Sequence, residues 1–308
     1  MSEKKLNILV LDGGGSKGVY TIGVLKELEL KLGKPLHEHF GLIFGTSTGS
    51  IIAALIGLGY KVPEIEKLYI DLIPKIMSKT SKKGRSKALK EEAQKLLGTQ
   101  KFDAFKTNIG IVALNFETQM PLIFKTDIQQ AHGMKQSFKA GFDCTIETAV
   151  RCSSAAYPFF EKMKIVTENH GVIEVVDGGF IANNSTLYSM IDAYKALNYN
   201  ESDIRLLNVG VGQYVENKSG LKHQFLKLFG IFNFIERVLT ASTNSNTIIT
   251  KLLFPDLNIL RISEAFPEPK HGTNMLESDI GKLNKMIQLG RSSYAKYEKD
   301  IIKLFDLK

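Results

Sequence analysis

Three times before residue 180 an apolar run ends abruptly in a glycine-marked turn. Asn7–Leu11 runs into Asp12-Gly-Gly-Gly-Ser-Lys-Gly18, Phe40–Phe44 into Gly45-Thr-Ser-Thr-Gly49, and Val172–Val176 into Asp177-Gly-Gly179. Short apolar runs bounded by turn residues read as buried strands. Helical patterns separate them: Val19–Leu32, Ser50–Leu58, Thr145–Ala156 stopped by Pro158, and Ser189–Leu197. Further strand-like runs are Asn108–Leu114, Leu122–Phe124 and Arg205–Val211, and Met275–Leu304 is helical throughout, as one helix or two. Strands alternating with helices predict an α/β chain: an open, mostly parallel sheet with helices on both faces. Sites in such sheets form at the carboxyl ends of strands, where all three turns stand.

The chain has 308 residues, enough for one large α/β domain or two small ones. Two segments depart from the alternation. Ile73–Lys106 is rich in lysine and carries Arg85, and Lys218–Phe254 is rich in phenylalanine. Only Cys144 and Cys152 occur, which excludes a disulfide framework and fits a reducing compartment, with both thiols read as small buried hydrophobes. The apolar run after the N-terminus is too short for a signal peptide, and no stretch reaches transmembrane length. A cytoplasmic protein is expected.

The net charge of +8 favours anionic partners. No zinc-finger, helix-turn-helix or RNA-binding signature accompanies it, so nucleic acid is the weakest of these partners. No metal-ligand spacing appears, and no cofactor is implied.

Gly45-Thr-Ser-Thr-Gly49 between an apolar strand and an apolar helix has the context of a nucleophile elbow. The turn is too tight for side chains beside the serine, so glycines flank it, and it lifts the Ser47 hydroxyl to a helix N-terminus, where amides favour developing negative charge. The glycines of Asp12–Gly18 let successive amides point at one spot, as an oxyanion or a phosphate needs. Gly13, Gly15 and Gly18 also satisfy the dinucleotide fingerprint. That fold expects an acidic residue at the end of the next strand, where this chain has Ser47. Asp177 at a strand end, followed by Gly178 and Gly179, can reach a serine on a neighbouring strand. His223 and His271 follow the acid in sequence but not in strand-end contexts, while His37, His39, His132 and His170 read as surface residues.

Taken together, Asp12–Gly18, Gly45–Gly49 and Asp177–Gly179 resemble the three motifs of the patatin-like phospholipases. Arg151-Cys-Ser-Ser-Ala-Ala-Tyr-Pro-Phe-Phe160 is similar to a fourth block of that family, although Tyr157 intervenes before Pro158. The resemblance covers Asn7 to about Tyr194, so a catalytic core over 7–194 is expected, with 195–308 completing the same α/β domain. It implies a serine–aspartate dyad without histidine. Ser47 is then the nucleophile and Asp177 its base, the amides of Gly13, Gly14 and Gly15 form the oxyanion hole, and Lys17 occupies the family's basic position. The substrate implied is membrane phospholipid, with the protein peripheral at the inner membrane surface when acting. Two sub-types fit: a housekeeping bacterial lysophospholipase, and the cyclic-nucleotide-activated phospholipases of antiphage defence, to which Leu11–Leu25 and Pro121–Thr126 are similar. A different class stays open, because Asp12–Lys17 also resembles the phosphate loop of actin-like ATPases and sugar kinases.

Two further expectations concern the irregular segments. The lysines of Ile73–Lys106 with Arg85 line the approach to the site or bind an anionic activator, or else form a solvated helix face. Phe225–Leu239 lies in the lipid head-group region or packs on the sheet.

Overall fold

The computed structural model describes residues 5–131, 138–167, 171–215 and 225–307. Its centre is a sheet in the order β5-β6-β3-β2-β1-β7-β9, with β4 also paired to β3. These strands are β1 (Leu6–Leu11), β2 (Leu42–Thr46), β3 (Asn108–Asn115), β4 (Pro121–Lys125), β5 (Met163–Thr167), β6 (Gly171–Asp177), β7 (Ile204–Val209) and β9 (Asn258–Ile262). A two-residue strand β8 (Gln213–Tyr214) pairs with β10 (Ala265–Phe266) apart from the main sheet. β1, β2, β3, β7 and β9 run parallel, while β4, β5 and β6 enter antiparallel pairings.

The central strands β1, β2 and β3 are near-continuous apolar runs because both of their faces are covered. Along β1, Leu9 and Leu11 join one buried cluster and Ile8 and Val10 the other. The larger cluster is filled by helices α1 (Gly18–Leu32), α2 (Thr48–Leu58), α3 (Val62–Met77), α4 (Lys82–Leu97), α5 (Ile146–Ser153) and α9 (Ile280–Phe305). The opposite face is thinner. Ala182 of α6 (Gly179–Ala182), Met190 of α7 (Thr186–Ile191) and Leu257, just beyond α8 (Phe225–Leu253), close it. Residues Met275–Leu304 resolve into one helix starting at Ile280, not two. β7 and β9 extend the sheet from β1, so the last third of the chain shares the core of the first two.

The pairing registers explain how distant motifs meet. β2 runs along one edge of β3 until Thr46 stands opposite Val112. β4 occupies the other edge, pairing Ala113 with Leu122. β6 comes from the far end, antiparallel, and stops with Asp177 opposite Ala113. Ala113 has only two edges, so β6 takes the edge that β2 vacates. The two strands run head-on along β3 and end one register position apart, which delivers Ser47 and Asp177 to the same place.

The structure corrects several expectations. The lysine-rich segment is not irregular: it covers the end of α3 and all of α4, and most of its lysines are exposed. Arg85, expected to meet an anion, is buried. It donates from Nε to the Phe159 carbonyl at 2.9 Å and from Nη1 to the Lys79 carbonyl at 2.6 Å, so it ties α4 to the loop after α5. His39 is half-buried rather than a free surface residue. Its ring packs edge-on between Phe40 and Phe305, and loss of solvent holds its pKa down at about 4. His37 is half-buried, and His132, His170 and His223 lie outside the described residues. Cys152 is buried as expected; Cys144 is half-buried.

Candidate active site

Ser47 sits between β2 and α2 with φ 53° and ψ −124°, a backbone conformation that non-glycine residues adopt only under constraint. The constraint is visible on both sides. A Cβ on Gly45 would stand 2.3 Å from the Gly49 carbonyl oxygen, and one on Gly49 would stand 2.2 Å from that of Leu11. The helix therefore folds back directly over β1 and β2, and only glycine fits there. α2 itself is apolar all round, with Ile52, Ala53, Ala54, Leu55 and Ile56 fully buried, and it anchors the strained turn.

The Arg151–Phe160 block holds the two sides of the site together. Ser153 Oγ accepts from the Ser47 N–H at 2.9 Å and donates to the Val112 carbonyl at 2.5 Å. The Asp177 N–H donates to the Ala155 carbonyl at 3.1 Å, and the Gly178 N–H to that of Ser153 at 3.4 Å. One short loop thus fixes both strand ends.

The Asp177 carboxylate is buried beside the Ser47 side chain and accepts from the Gly179 N–H at 2.7 Å. Burial raises its pKa to about 6, against the opposing pull of the Ser47 hydroxyl and the Gly179 N–H. A carboxylate at that value is ionised at neutral pH and still basic enough to take a proton.

The glycine loop faces the same point, with one difference from expectation. The Gly13 N–H donates to the Asn183 carbonyl at 3.1 Å, and the Ser16 N–H to that of Met275 at 3.0 Å. Gly13 therefore cannot offer its amide while that bond stands. The Gly14 and Gly15 amides have no acceptor among the described residues, and both glycines line the pocket that contains Ser47. Asp12 does not point into the pocket. Its carboxylate is held by Asn208 Nδ2 and Arg261 Nη2, each at 2.8 Å, which fixes the start of the loop. Gly18 admits Thr48 against α1, since a Cβ there would stand 2.4 Å from Thr48 Oγ1. Lys17 is turned away into an ion pair with Glu236 of α8 at 3.0 Å.

Beyond Ser47 the pocket is apolar, walled by Leu72 and Ile76 of α3, Phe159 and Phe160 after α5, and Ile235 and Leu239 of α8. Ser154 Oγ, also on its wall, is buried without a partner among the described residues. His271 lies elsewhere, against Phe266. Among the described residues no group of histidine, cysteine or acidic side chains could hold a metal ion.

The profile of the patatin-like phospholipases matches residues 9–190. The chain belongs to that family. A cUMP-AMP-activated phospholipase of Escherichia coli is 45% identical over 291 residues, 94% of this chain and 91% of that protein. A cGAMP-activated phospholipase of Pseudomonas aeruginosa (strain BWHPSA011 / Pa011) is 28% identical over 257 residues, 78% and 72% of the two chains. Among solved structures, VipD from Legionella pneumophila shares the fold, with a TM-score of 0.54 at 11% identity over 98% of this chain and 67% of that one. This patatin-like chain is thus a carboxylic ester hydrolase of phospholipase type. The ATPase reading of its glycine loop gives way to that membership.

In this patatin-like chain, sequence reasoning gave Ser153 no role although the Arg151–Phe160 block contains it, and it missed Asn183, Met275 and Arg261. None of them carries a local signal, because each acts through a contact made only in the folded chain. The apolar spacing of α8 was visible, but not that Ile235 and Leu239 turn inward. Within Phe225–Leu239, expected either in the head-group region or on the sheet, the side chains of Phe229 and Phe232 lie outside the described residues.

Proposed function

We propose that this chain cleaves fatty-acyl esters of membrane phospholipids through Ser47 and Asp177. The observation that carries the reading is the burial of Asp177 beside the strained Ser47, at the mouth of an apolar pocket. Asp177 takes the Ser47 proton as the hydroxyl oxygen bonds to the ester carbonyl carbon. The Gly14 and Gly15 amides bind the resulting oxyanion, an interaction worth on the order of a hundredfold in rate for each donor. The tetrahedral intermediate collapses, the C–O bond to the leaving alcohol breaks, and Asp177 returns the proton to that oxygen. Water, deprotonated by Asp177, then attacks acyl-Ser47 and releases the fatty acid while the proton goes back to Ser47. The pocket between α3, the loop after α5, and α8 holds the acyl chain.

The cyclic-nucleotide-activated relatives support a nucleotide activator for this chain too, within the antiphage-defence sub-type. Incubation with mixed phospholipid vesicles, with and without cUMP-AMP, tests both parts. Release of fatty acid and lysophospholipid that rises sharply with the nucleotide is the expected result. Release at the same rate without it would leave the hydrolase and remove the activator. No release in either case, from a protein that folds, would remove the lipase reading.

A further inference from the structure

α8 presents two opposed faces. Ile235, Leu239, Thr243, Asn246 and Thr250 turn inward, and the first two wall the acyl pocket. Phe234, Val238, Ala241, Ser245, Ile248 and Leu252 are all exposed, and they are spaced alternately by four and three residues. At 3.6 residues per turn the two sets lie about 140° apart, and the outer stripe runs for about 27 Å. Its exposure is large for apolar side chains: 67% for Phe234, 58% for Ile248 and 76% for Leu252. Ile249 and Leu253 widen it near the C-terminal end.

The exposed charge described on the helix itself is of one sign. Arg237 and Lys251 are exposed along one flank, while Glu236, the sole carboxylate of the helix, turns inward to Lys17. No described helix is long and apolar enough to cross a membrane. An apolar stripe edged by cations, on a helix that does not span, matches a surface of anionic lipid.

A second copy of the chain fits less well. Antiparallel pairing would match Phe234 with Leu252 and Val238 with Ile248, but it would set Arg237 of one copy beside Lys251 of the other. Like charges flanking such a seam oppose pairing.

We infer that the outer face of α8 is the surface by which this chain docks on anionic bilayers, with the Phe234–Leu252 stripe in the head-group region and Arg237 and Lys251 on lipid phosphates. This deepens the phospholipase reading and rests on it: one helix is at once the wall of the acyl pocket and the face turned to the lipid. An extracted acyl chain then passes no more than the width of a helix, about 10 Å, from bilayer to pocket.

Binding can be separated from catalysis by using Ser47→Ala protein in flotation with phosphatidylglycerol and phosphatidylcholine vesicles, with and without cUMP-AMP. Bound fraction, thermal midpoint and sedimentation coefficient are compared for that protein and for versions also carrying Ile248→Ser with Leu252→Ser, or Arg237→Glu with Lys251→Glu. The proposal expects preference for phosphatidylglycerol, and at least tenfold weaker binding in both double variants with an unchanged thermal midpoint. It is overturned if Ser47→Ala protein floats with neither vesicle in either condition, or if the double variants float as well as it does. It is also overturned if Ile248→Ser with Leu252→Ser dissolves an oligomer while vesicle binding persists, since the stripe would then serve a second copy. Failure of the phospholipase reading shows separately, as wild-type protein that floats but releases no fatty acid.

Discussion

α2 and α8 are both rich in apolar residues, yet the protein treats them in opposite ways. α2 is enclosed on every side and holds Ser47 in a conformation it would not otherwise adopt. α8 is enclosed on one side only and leaves a long apolar stripe in solvent. The first arrangement gives rigidity, which a reacting hydroxyl needs if it is to stay aligned with its base. The second gives a surface whose apolar area is still available for burial, at the cost of solubility. On the proposed function, the contrast separates the part of the molecule that makes the chemistry from the part proposed to meet the bilayer.

The largest expected effect tests the rigid half. Asp177→Asn keeps the shape but removes the base, and ester hydrolysis should fall on the order of 10⁴-fold at neutral pH while circular dichroism is unchanged. Near-native turnover of a soluble short-chain ester by this variant would break the assignment.

Stability draws the same line between the helices. Leu55 in α2 is fully buried, so Leu55→Ala should cost roughly 2–5 kcal/mol by urea unfolding. Leu252 in α8 is exposed, and Leu252→Ala should stay within about 0.5 kcal/mol of the parent. Equal costs at the two positions would mean that the outer face of α8 is packed in solution.

A smaller effect should appear with pH. As the proposed base, Asp177 would act only when ionised, and burial raises its pKa to about 6. The rate on a soluble ester should therefore level off above neutrality and fall about tenfold per unit well below pH 6. A profile flat down to pH 4.5 would place the base in a more solvated carboxylate.

The same contrast explains what could be read before the structure was known. The elbow was legible because its constraint is local: Gly45 and Gly49 are needed wherever a helix folds straight back over its strand. The parallel sheet was legible because doubly buried strands carry unbroken apolar runs such as Ile8–Leu11. β5 and β9 were not, since Met163–Thr167 and Asn258–Ile262 are edge strands that mix exposed polar and apolar residues. The length of α8 was obscured by Gly230 and Asn233. Both lie inside the helix, whose inward face is held by Asn183–Thr243 and Asn184–Thr247 hydrogen bonds that no local pattern reports. The proposed oxyanion donors were partly legible. Glycines at 13, 14 and 15 announce a loop of exposed amides, but which amide is already engaged depends on Asn183, far along the chain.

The central claim is that β2 and β6 meet head-on along β3 to make a single reactive serine activated by a buried aspartate. Covalent labelling with a fluorophosphonate, read by intact mass and peptide mapping, addresses it most directly, because the reagent needs the nucleophile, the base and the oxyanion donors together. The account predicts one adduct per chain, located on Ser47 and lost, within the same labelling time, in Asp177→Asn protein. Adduct on another residue, or labelling of Ser47 at the parent rate in Asp177→Asn, would contradict it.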